Sequence, residues 1–221
     1  MSKSAIRILP VTLTDNANST ALTDLEAIYA IETTAFQIGR SAQDTALHQL
    51  MFGPPSVVSQ NQRADELRMK LKSDSTFRIY KAVLVDEISS DYQKDEKIVG
   101  FAIWNFYNPK PRCIRQENNK RISPHRPRIF NDFFGALARK REAFMGNGRF
   151  AHLEFLAILP PYQRLGIGQD LLSVGLEEAD RRGIPAWVES TTEAYGLYRS
   201  RGFSEVVEVT MDLRKYGADG I

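Results

Sequence analysis

The feature of this sequence that most constrains its fold is a glycine-containing loop between an apolar run and an amphipathic segment. The run from His152 to Leu159 has the length and composition of a β-strand, and two prolines follow it. After the loop, apolar residues fall on one helical face, at Leu171, Leu172, Gly175, Leu176 and Ala179. The sequence therefore predicts a strand, a loop and a helix in direct succession.

The loop reads Gln163-Arg164-Leu165-Gly166-Ile167-Gly168, and its position predicts a phosphate-binding site. Backbone N–H groups at a helix N-terminus lack partners, and the helix dipole favours an anion there. Glycines at 166 and 168 would let the backbone approach a pyrophosphate closely. The spacing matches neither the Walker loop nor the Rossmann fingerprint. An ordinary turn eased by two glycines is the alternative interpretation.

The pattern Gln-x-x-Gly-x-Gly resembles the coenzyme A signature of the GNAT superfamily of acyl-CoA-dependent N-acyltransferases. A predicted strand at Ile184–Ser190 and a second similar motif follow, Ala-x-x-Leu-Tyr-x-x-x-Gly-Phe, which is carried here by Ala194, Leu197, Tyr198, Gly202 and Phe203. The similarity covers most of residues 76–213 and includes a predicted strand at Lys97–Trp104. It implies an α/β (α+β) fold: a twisted mixed sheet flanked by helices on both faces, with acetyl-CoA in its splayed centre.

The resemblance also implies which residues hold acetyl-CoA. They are Leu156, Ala157, Ile158, Gln163, Arg164, Leu165, Gly166, Ile167, Gly168 and Thr191. The strand residues would lie alongside the pantetheine arm, and freed backbone groups would polarise the thioester carbonyl. Many relatives carry asparagine at the position of Thr191, so we expect an altered contact there, since threonine can still cap a helix.

Three residues are catalytic candidates. Tyr198 resembles the family's general acid, because a phenol of pKa about 10 can protonate a leaving thiolate of pKa about 8.5; a core tyrosine is the alternative. His152 and Glu154 share one face of the predicted strand and align with the base positions of relatives. An imidazole titrating near ~6.5 suits a base at neutral pH. Which of the two is the base stays open, as does a structural role for either.

In the N-terminal half, the pattern predicts an edge strand at residues 5–13 and a strand at Thr76–Val85. Between them it predicts three helices. The first begins at a Thr23–Glu26 capping box and runs towards Phe36, and the others lie at Ser41–Phe52 and Ser59–Lys72. By the resemblance, the first two helices carry the amine-binding surface. Glu32, Phe36 and Phe52 are therefore candidate contacts for a small amine or a peptide amine, and helix packing is the alternative for each. At the other end, Phe203–Leu213 predicts a final strand pair.

An irregular basic insert spans about 107–131 and precedes a predicted helix at about 131–145. Long loops in compact domains are usually functional or disordered. The insert is interpreted as a lid, as a site for the adenosine 3′-phosphate or another acidic ligand, or as an exposed loop. Aromatic residues suited to RNA stacking are sparse, so we do not expect nucleic acid. Two rival functions remain: a non-catalytic acyl-CoA-binding regulator, and an acyltransferase acting on an RNA-linked substrate.

Composition bounds the remaining possibilities. A chain of 221 residues with 43% hydrophobic residues predicts one domain over residues 1–221. The net charge of +2 gives no general attraction to nucleic acid or membrane. No membrane span or secretion signal is recognisable, and the single cysteine, Cys113, fits a reducing compartment, so we expect a cytoplasmic location, with the nucleus open. His48, His125 and His152 lack metal-ligand spacing, so no metal is expected. The amine, the acyl chain length and the oligomeric state are not indicated.

Overall fold

A mixed sheet of five strands forms the centre of the part of the chain that the computed structural model describes, residues 5–13, 20–37, 50–51, 57–85, 97–108 and 128–216. The strands are β1 (Ala5–Pro10), β2 (Phe77–Val85), β3 (Lys97–Tyr107), β4 (Phe150–Ile158) and β5 (Ala186–Val188). They lie side by side in chain order. The first four pair antiparallel, and β5 pairs parallel to β4.

Helices cover both faces of this sheet. They are α1 (Thr20–Gln37), α2 (Val57–Ser73), α3 (Arg128–Met145), α4 (Ile167–Arg181) and α5 (Tyr195–Ser200), with 3-10 turns at Pro160–Tyr162 and Leu213–Tyr216. One apolar cluster joins α1 and α2 to the sheet through residues such as Leu25, Leu67 and Phe101. A second joins α4 and α5 to the opposite face through residues such as Trp104 and Leu171. The predicted mixed sheet with helices on both faces is confirmed.

Strand β4 carries two irregularities that shape the candidate site. Ile103 of β3 pairs with Phe155, and Trp104 pairs with Leu153, so Glu154 has no counterpart and forms a β-bulge. On its other side, β4 pairs with β5 only through Ala151–Leu153. The strands therefore part directly after Leu153, which opens the sheet in the way that the resemblance implied.

Most predicted elements are confirmed to within a few residues. This holds for the strands predicted at 5–13, 76–85, 97–104, 152–159 and 184–190, and for the helices predicted at 59–72 and 131–145. Of the helix predicted at Ser41–Phe52, only Leu50 and Met51 lie among the described residues, and both are helical. Residues 109–127 of the basic insert lie outside the described residues, as do Cys113, His48 and His125.

The final strand pair predicted over Phe203–Leu213 is wrong. Residues 203–212 form no strand, and a 3-10 turn follows. Apolar side chains from this segment, including Met211 and Leu213, pack with Ile129 and Phe130 of α3, and the Tyr216 hydroxyl donates to Asp132 at 2.8 Å. Alternating apolar residues favour a strand only where a partner strand is within reach. Here these residues pack against helix α3 and not against another strand.

The prediction that a capping box at Thr23–Glu26 begins the first helix is also wrong. The chain is already helical at Thr20, and both Thr23 and Glu26 lie inside α1. Asp24, between them, instead forms a buried ion pair with Lys81 of β2, at 2.8 Å. None of the described helices combines the length and apolar character needed to cross a membrane.

Candidate active site

The loop between β4 and α4 has a backbone that glycine makes possible. Gly166 is the N-cap of α4 with φ +88°, and Arg164 also lies in the left-handed region, with φ +63°. A side chain at Gly166 would meet no atom within 4 Å, so glycine is needed there for its conformation and not for space. The Gln163 side chain donates to the Ile158 carbonyl at 3.0 Å and ties the loop to the end of β4.

The turn leaves a row of backbone donors that meet no backbone acceptor among the described residues. The N–H groups of Gln169 and Asp170 donate to the Gly166 carbonyl at 2.9 and 3.1 Å. The N–H groups of residues 164–168 meet no backbone carbonyl in the described part of the chain. Together with the positive end of the α4 dipole, these donors form a cradle suited to an anion. We call residues 163–168 the cradle.

Gly168 serves a different purpose from Gly166. A Cβ at Gly168 would lie 3.2 Å from the Ile158 side chain and 3.5 Å from the Leu197 side chain. Glycine at this position therefore allows the first turn of α4 to approach both β4 and α5 closely. The sequence predicted room for a pyrophosphate at both glycines, and the structure shows open space next to Gly166 only.

The opened part of β4 presents its residues to two different faces. Leu156 and Ile158 pack with the apolar cluster that contains α4, α5 and Tyr198. Ala157 belongs to the cluster under α1 and α2 on the other face. Because successive strand residues alternate, only Leu156 and Ile158 place their side chains on the Tyr198 side of the sheet.

Tyr198 lies in α5 with 7% of its surface exposed, in the same cluster as Leu156, Ile158 and Ile167 of the cradle. Burial raises the pKa of its phenol to about 12. Its ring packs edge-on against Phe203, with ring centroids 5.8 Å apart, and its carbonyl accepts the Phe203 N–H at 3.2 Å. Gly202, with φ +87°, turns the chain back so that the Phe203 N–H can reach the Tyr198 carbonyl. The Tyr-x-x-x-Gly-Phe motif thus fixes the end of α5 around this tyrosine.

Thr191 does not cap a helix, and the altered cofactor contact expected there stays a prediction. Helix α5 begins at Tyr195, its N-cap is Ala194, and no side chain caps it. Thr191 is exposed, and its carbonyl accepts a hydrogen bond from the Ser190 hydroxyl at 2.7 Å. The helix starts later than the motif suggested, so Thr191 lies outside the reach of its first N–H groups.

His152 and Glu154 lie on the face of the sheet that α1 and α2 cover. Leu153 between them packs on the α4 face, and His152 pairs in register with Asn105, whose amide donates to Glu154 at 2.7 Å. Lys70 of α2 approaches the other Glu154 oxygen at 3.6 Å, and the Glu154 side chain is 5% exposed. The sequence did not identify Asn105 or Lys70. Both explain how a buried carboxylate can be accommodated here.

Glu189, the residue after β5, holds His152 in place. Its Oε2 lies 2.6 Å from His152 Nε2, and its Oε1 accepts from Arg141 of α3 at 2.5 Å and from Trp187 at 2.8 Å. Burial alone would raise the pKa of the Glu189 carboxyl, but His152, Arg141 and Trp187 outweigh it and lower that pKa to about 2. The sequence analysis missed Glu189 and Arg141. A charged residue inside the predicted strand Ile184–Ser190 was the available signal for Glu189.

Glu32, the substrate candidate on α1 whose side chain is described, bonds to α2 and not to this cluster. Glu32 accepts from Arg63 of α2 at 3.2 Å, and both side chains are 19% exposed, so the pair bridges the two helices. Phe36 lies in the last turn of α1, but its side chain falls outside what the structure describes, and Phe52 lies outside it altogether. No group of His, Cys, Asp and Glu side chains within the described residues is arranged to hold a metal ion.

The comparisons with known proteins agree with this geometry. The model of the acetyltransferase (GNAT) family matches residues 65–203, which include the cradle, the splayed strands and Tyr198. This match covers more than half of the chain, and the chain belongs to the GNAT acetyltransferase family. No curated protein gave a significant match to the sequence.

One solved structure supports the fold, and a second is similar over most of the chain. A GCN5-related N-acetyltransferase from Ralstonia eutropha is 17% identical, with a TM-score of 0.51 over 95% of this chain and 99% of its own. An acetyltransferase from Trypanosoma brucei is 16% identical, with a TM-score of 0.49 over 95% of this chain and 100% of its own. At this identity the Ralstonia structure supports the fold alone.

Proposed function

We propose that the protein is an N-acetyltransferase that moves an acetyl group from acetyl-CoA to a primary amine by direct attack in a ternary complex. The observation that carries this proposal is the combination of the cradle with the opening between β4 and β5. The N–H groups of residues 164–168 meet no backbone carbonyl among the described residues, and β5 stops pairing with β4 after Leu153, before Leu156 and Ile158. Donors at a helix N-terminus suit a pyrophosphate, and in this proposal the narrow pantetheine arm lies where the two strands separate.

Acetyl-CoA, when bound, supplies the activated thioester, and the protein supplies position and proton transfer. Backbone N–H groups of the cradle would bind the pyrophosphate, and the edge of β4 that β5 leaves after Leu153 would offer backbone groups to the pantetheine amides. The amine must lose a proton before it attacks, since an alkylammonium has a pKa near ~10.4. Formation of the C–N bond breaks the C–S bond, and the Tyr198 phenol is the donor proposed for the departing sulfur.

The base in this proposal is His152 or Glu154. Both side chains are about 5% exposed and lie where β4 begins to part from β5. Each has a charged neighbour, Glu189 at 2.6 Å from His152 and Lys70 at 3.6 Å from Glu154. A carboxylate beside an imidazole favours its protonated form, whereas an ammonium beside a carboxylate favours the ionised form. Separate His152→Gln and Glu154→Gln variants decide between them. Loss of the base lowers the rate by roughly 10²–10⁴-fold and removes the acidic limb of the pH profile.

The function itself is tested by incubating the protein with acetyl-CoA and a panel of amines: a polyamine, an arylalkylamine, an amino sugar and a lysine peptide. Release of free thiol together with a mass gain of one acetyl group on an amine supports the proposal. Binding of acetyl-CoA without acetylation of any amine would instead indicate the regulatory alternative. Weak, salt-sensitive RNA binding through the basic insert would favour the RNA-linked alternative.

The same proposal treats residues 1–221 as one domain. Strand β1 at the N-terminal end pairs with β2 over six register positions from Ala5 to Pro10, and β2 to β5 carry the candidate site. The N-terminal segment thus shares its sheet with the catalytic region, which supports a single folding unit.

A further inference from the structure

Glu189 stands where β4 and β5 separate, and it is bonded from three directions. Arg141 of α3 and Trp187 of β5 bond one of its oxygens, at 2.5 and 2.8 Å, and His152 of β4 bonds the other at 2.6 Å. The cluster is shielded from solvent: the side chains of Arg141, Glu189 and His152 are 16, 20 and 5% exposed. Three separate elements meet in this one carboxylate.

The chemistry of the carboxylate fixes the state of the imidazole. An ionised carboxylate can only accept hydrogen bonds, so the hydrogen between Glu189 Oε2 and His152 Nε2 must belong to Nε2. The other ring nitrogen, Nδ1, is then the atom that takes up or releases a proton. A histidine used in proton transfer needs its tautomer fixed in this manner.

Arg141 and Glu189 have opposite effects on the protonation of the His152 imidazole. The Arg141 Nη1 lies 3.3 Å from His152 Nε2, so its positive charge disfavours a protonated ring, while the Glu189 charge at 2.6 Å favours one. At these short distances both charges act directly on the proton equilibrium of the ring. Removing either charge would leave the imidazole facing the other one.

The remaining neighbours of His152 come from β3, β4 and α2. The Tyr107 ring stacks on the imidazole at 6.3 Å, and Asn105 pairs with His152 across the sheet. Glu154 on the same strand face bonds Asn105 and is approached by Lys70 of α2. Of the charged groups among these described neighbours, Glu189 and Arg141 are the two that lie within hydrogen-bonding distance of the ring.

We propose that Glu189 and Arg141 are positioning residues that fix the tautomer of His152 and set the pH at which its Nδ1 titrates. Through Arg141, this arrangement ties helix α3, the element that follows the basic insert, to the acyl-transfer site. The catalytic meaning of the proposal rests on the proposed function. The effect of Glu189 and Arg141 on the proton equilibrium of His152 does not depend on the proposed function. It can be measured on the protein without any substrate.

The experiment compares wild-type protein with Glu189→Gln and Arg141→Gln by NMR titration of the histidine ring nitrogens. The sequence contains three histidines, and a His152→Asn variant identifies the resonance by its loss. We expect Glu189→Gln to lower the titration midpoint of His152 by about one pH unit, and Arg141→Gln to raise it by a similar amount. Arg141→Lys, which keeps the charge, should return the midpoint towards the wild-type value.

Glu178→Gln is the matched control. Glu178 on α4 is 16% exposed and bonds Arg182 at 2.5 Å, so the pair resembles Glu189 and Arg141 in burial and geometry. Its Arg182 partner lies over the ring of Phe106, on the opposite face of the sheet from His152. Glu178→Gln should leave the His152 midpoint unchanged, which separates a local effect from a general loss of one negative charge.

The proposal is supported if the His152 midpoint shifts in opposite directions in the Glu189 and Arg141 variants. The pH profile of kcat/KM, measured with an amine that the protein acetylates, should then shift by the same amounts. An unchanged His152 midpoint in both folded variants overturns it. A shifted midpoint with an unchanged kcat/KM profile overturns the link to catalysis. If Glu189→Gln does not fold, the upward shift in Arg141→Gln remains decisive. If no amine is acetylated, the proposed function fails, and the NMR midpoints still decide whether Glu189 and Arg141 control His152.

Discussion

At the scale of single residues, the buried phenol of Tyr198 changes what this tyrosine can contribute. Burial raises its pKa to about 12, whereas the thiol of the leaving group has a pKa near ~8.5. Full proton transfer from phenol to thiolate is then uphill by about 5 kcal/mol in the free protein. Tyr198 is therefore better suited to donate a strong hydrogen bond as the C–S bond breaks than to give up its proton early.

Tyr198→Phe should lower kcat by about 10²-fold or more and change KM for acetyl-CoA much less. The substitution removes one oxygen and keeps the ring contact with Phe203, so the fold should be preserved. Steady-state kinetics on a confirmed amine measure the effect. Because the phenol stays neutral up to about pH 12, Tyr198 should cause no loss of wild-type rate between pH 8 and 10. Full turnover in Tyr198→Phe would make this tyrosine structural.

Gly166→Ala tests the cradle, and Gly183→Ala is its control. Both glycines have positive φ, +88° and +60°, and a Cβ on either meets no atom within 4 Å. Each substitution should therefore cost about 1–2 kcal/mol of backbone strain. Only Gly166→Ala lies in the cradle, and it should weaken coenzyme A binding measured by calorimetry. Equal affinities in the two folded variants would count against the phosphate site.

The cradle residues could be predicted because they are contiguous in sequence and their spacing has a direct physical meaning. The residues around His152 could not, because Arg141, Glu189 and Asn105 are brought to it from three other elements. Glu154 shows the same limit: its pairing with Asn105 depends on a bulge that no local pattern announces. The loop and helix that form the cradle were predictable from the sequence, and hydrogen bonds between distant elements were not.

At the scale of elements, helix α4 approaches the sheet closely because one of its residues has no side chain. A Cβ at Gly175 would lie 2.0 Å from the indole of Trp104, which is fully buried in β3. The packing of α4 on β3 therefore depends on this glycine. It also fixes the position of the first turn of α4, where the cradle ends.

Gly175→Ala should destabilise the protein by about 1–3 kcal/mol or more, because the helix or the indole must move. The control is Gly196→Ala in α5, where a Cβ would meet nothing within 4 Å and φ is not positive. That change should be neutral or stabilising by up to about 1 kcal/mol, since alanine favours a helix. Urea unfolding of both variants measures the difference. A Gly175→Ala protein as stable as wild type would contradict the close contact.

Secondary structure was predictable where an element buries its own periodic face. Helix α4 and strand β2 follow their apolar patterns to within a few residues. The segment after Phe203 failed because its apolar residues pack on α3, and a pattern of period two does not identify its partner. Which surface an apolar segment covers is decided by the whole fold.

At the scale of the whole molecule, Glu189 makes stability depend on pH. Its folded-state pKa of about 2 lies below its ordinary value of 4.5, so the unfolded chain binds more protons between these values. The stabilisation is fully present above about pH 4.5 and is lost as the pH falls towards 2. The shift corresponds to about 3 kcal/mol.

Glu189→Gln should therefore flatten the fall in unfolding free energy between pH 4.5 and 2, measured by urea unfolding at several pH values. Glu177→Gln, on the exposed side of α4, is the control for removing one surface carboxylate. An acid slope in Glu189→Gln as steep as in wild type would mean that other carboxylates control acid unfolding.

The short junction between β4 and β5 has a consequence for the lifetime of the protein. Strand β5 is joined to the sheet by the pairs from Ala151–Ala186 to Leu153–Val188, so the edge that carries β5 and α5 can detach at lower cost than the rest of the sheet. A donor bound in the opening would hold the two strands together, adding about 2.7 kcal/mol when its concentration is about a hundredfold above Kd. Detached edges are where proteases cut. When the acyl donor is scarce, the molecule would then be degraded sooner, and its abundance would follow the supply of the compound it consumes.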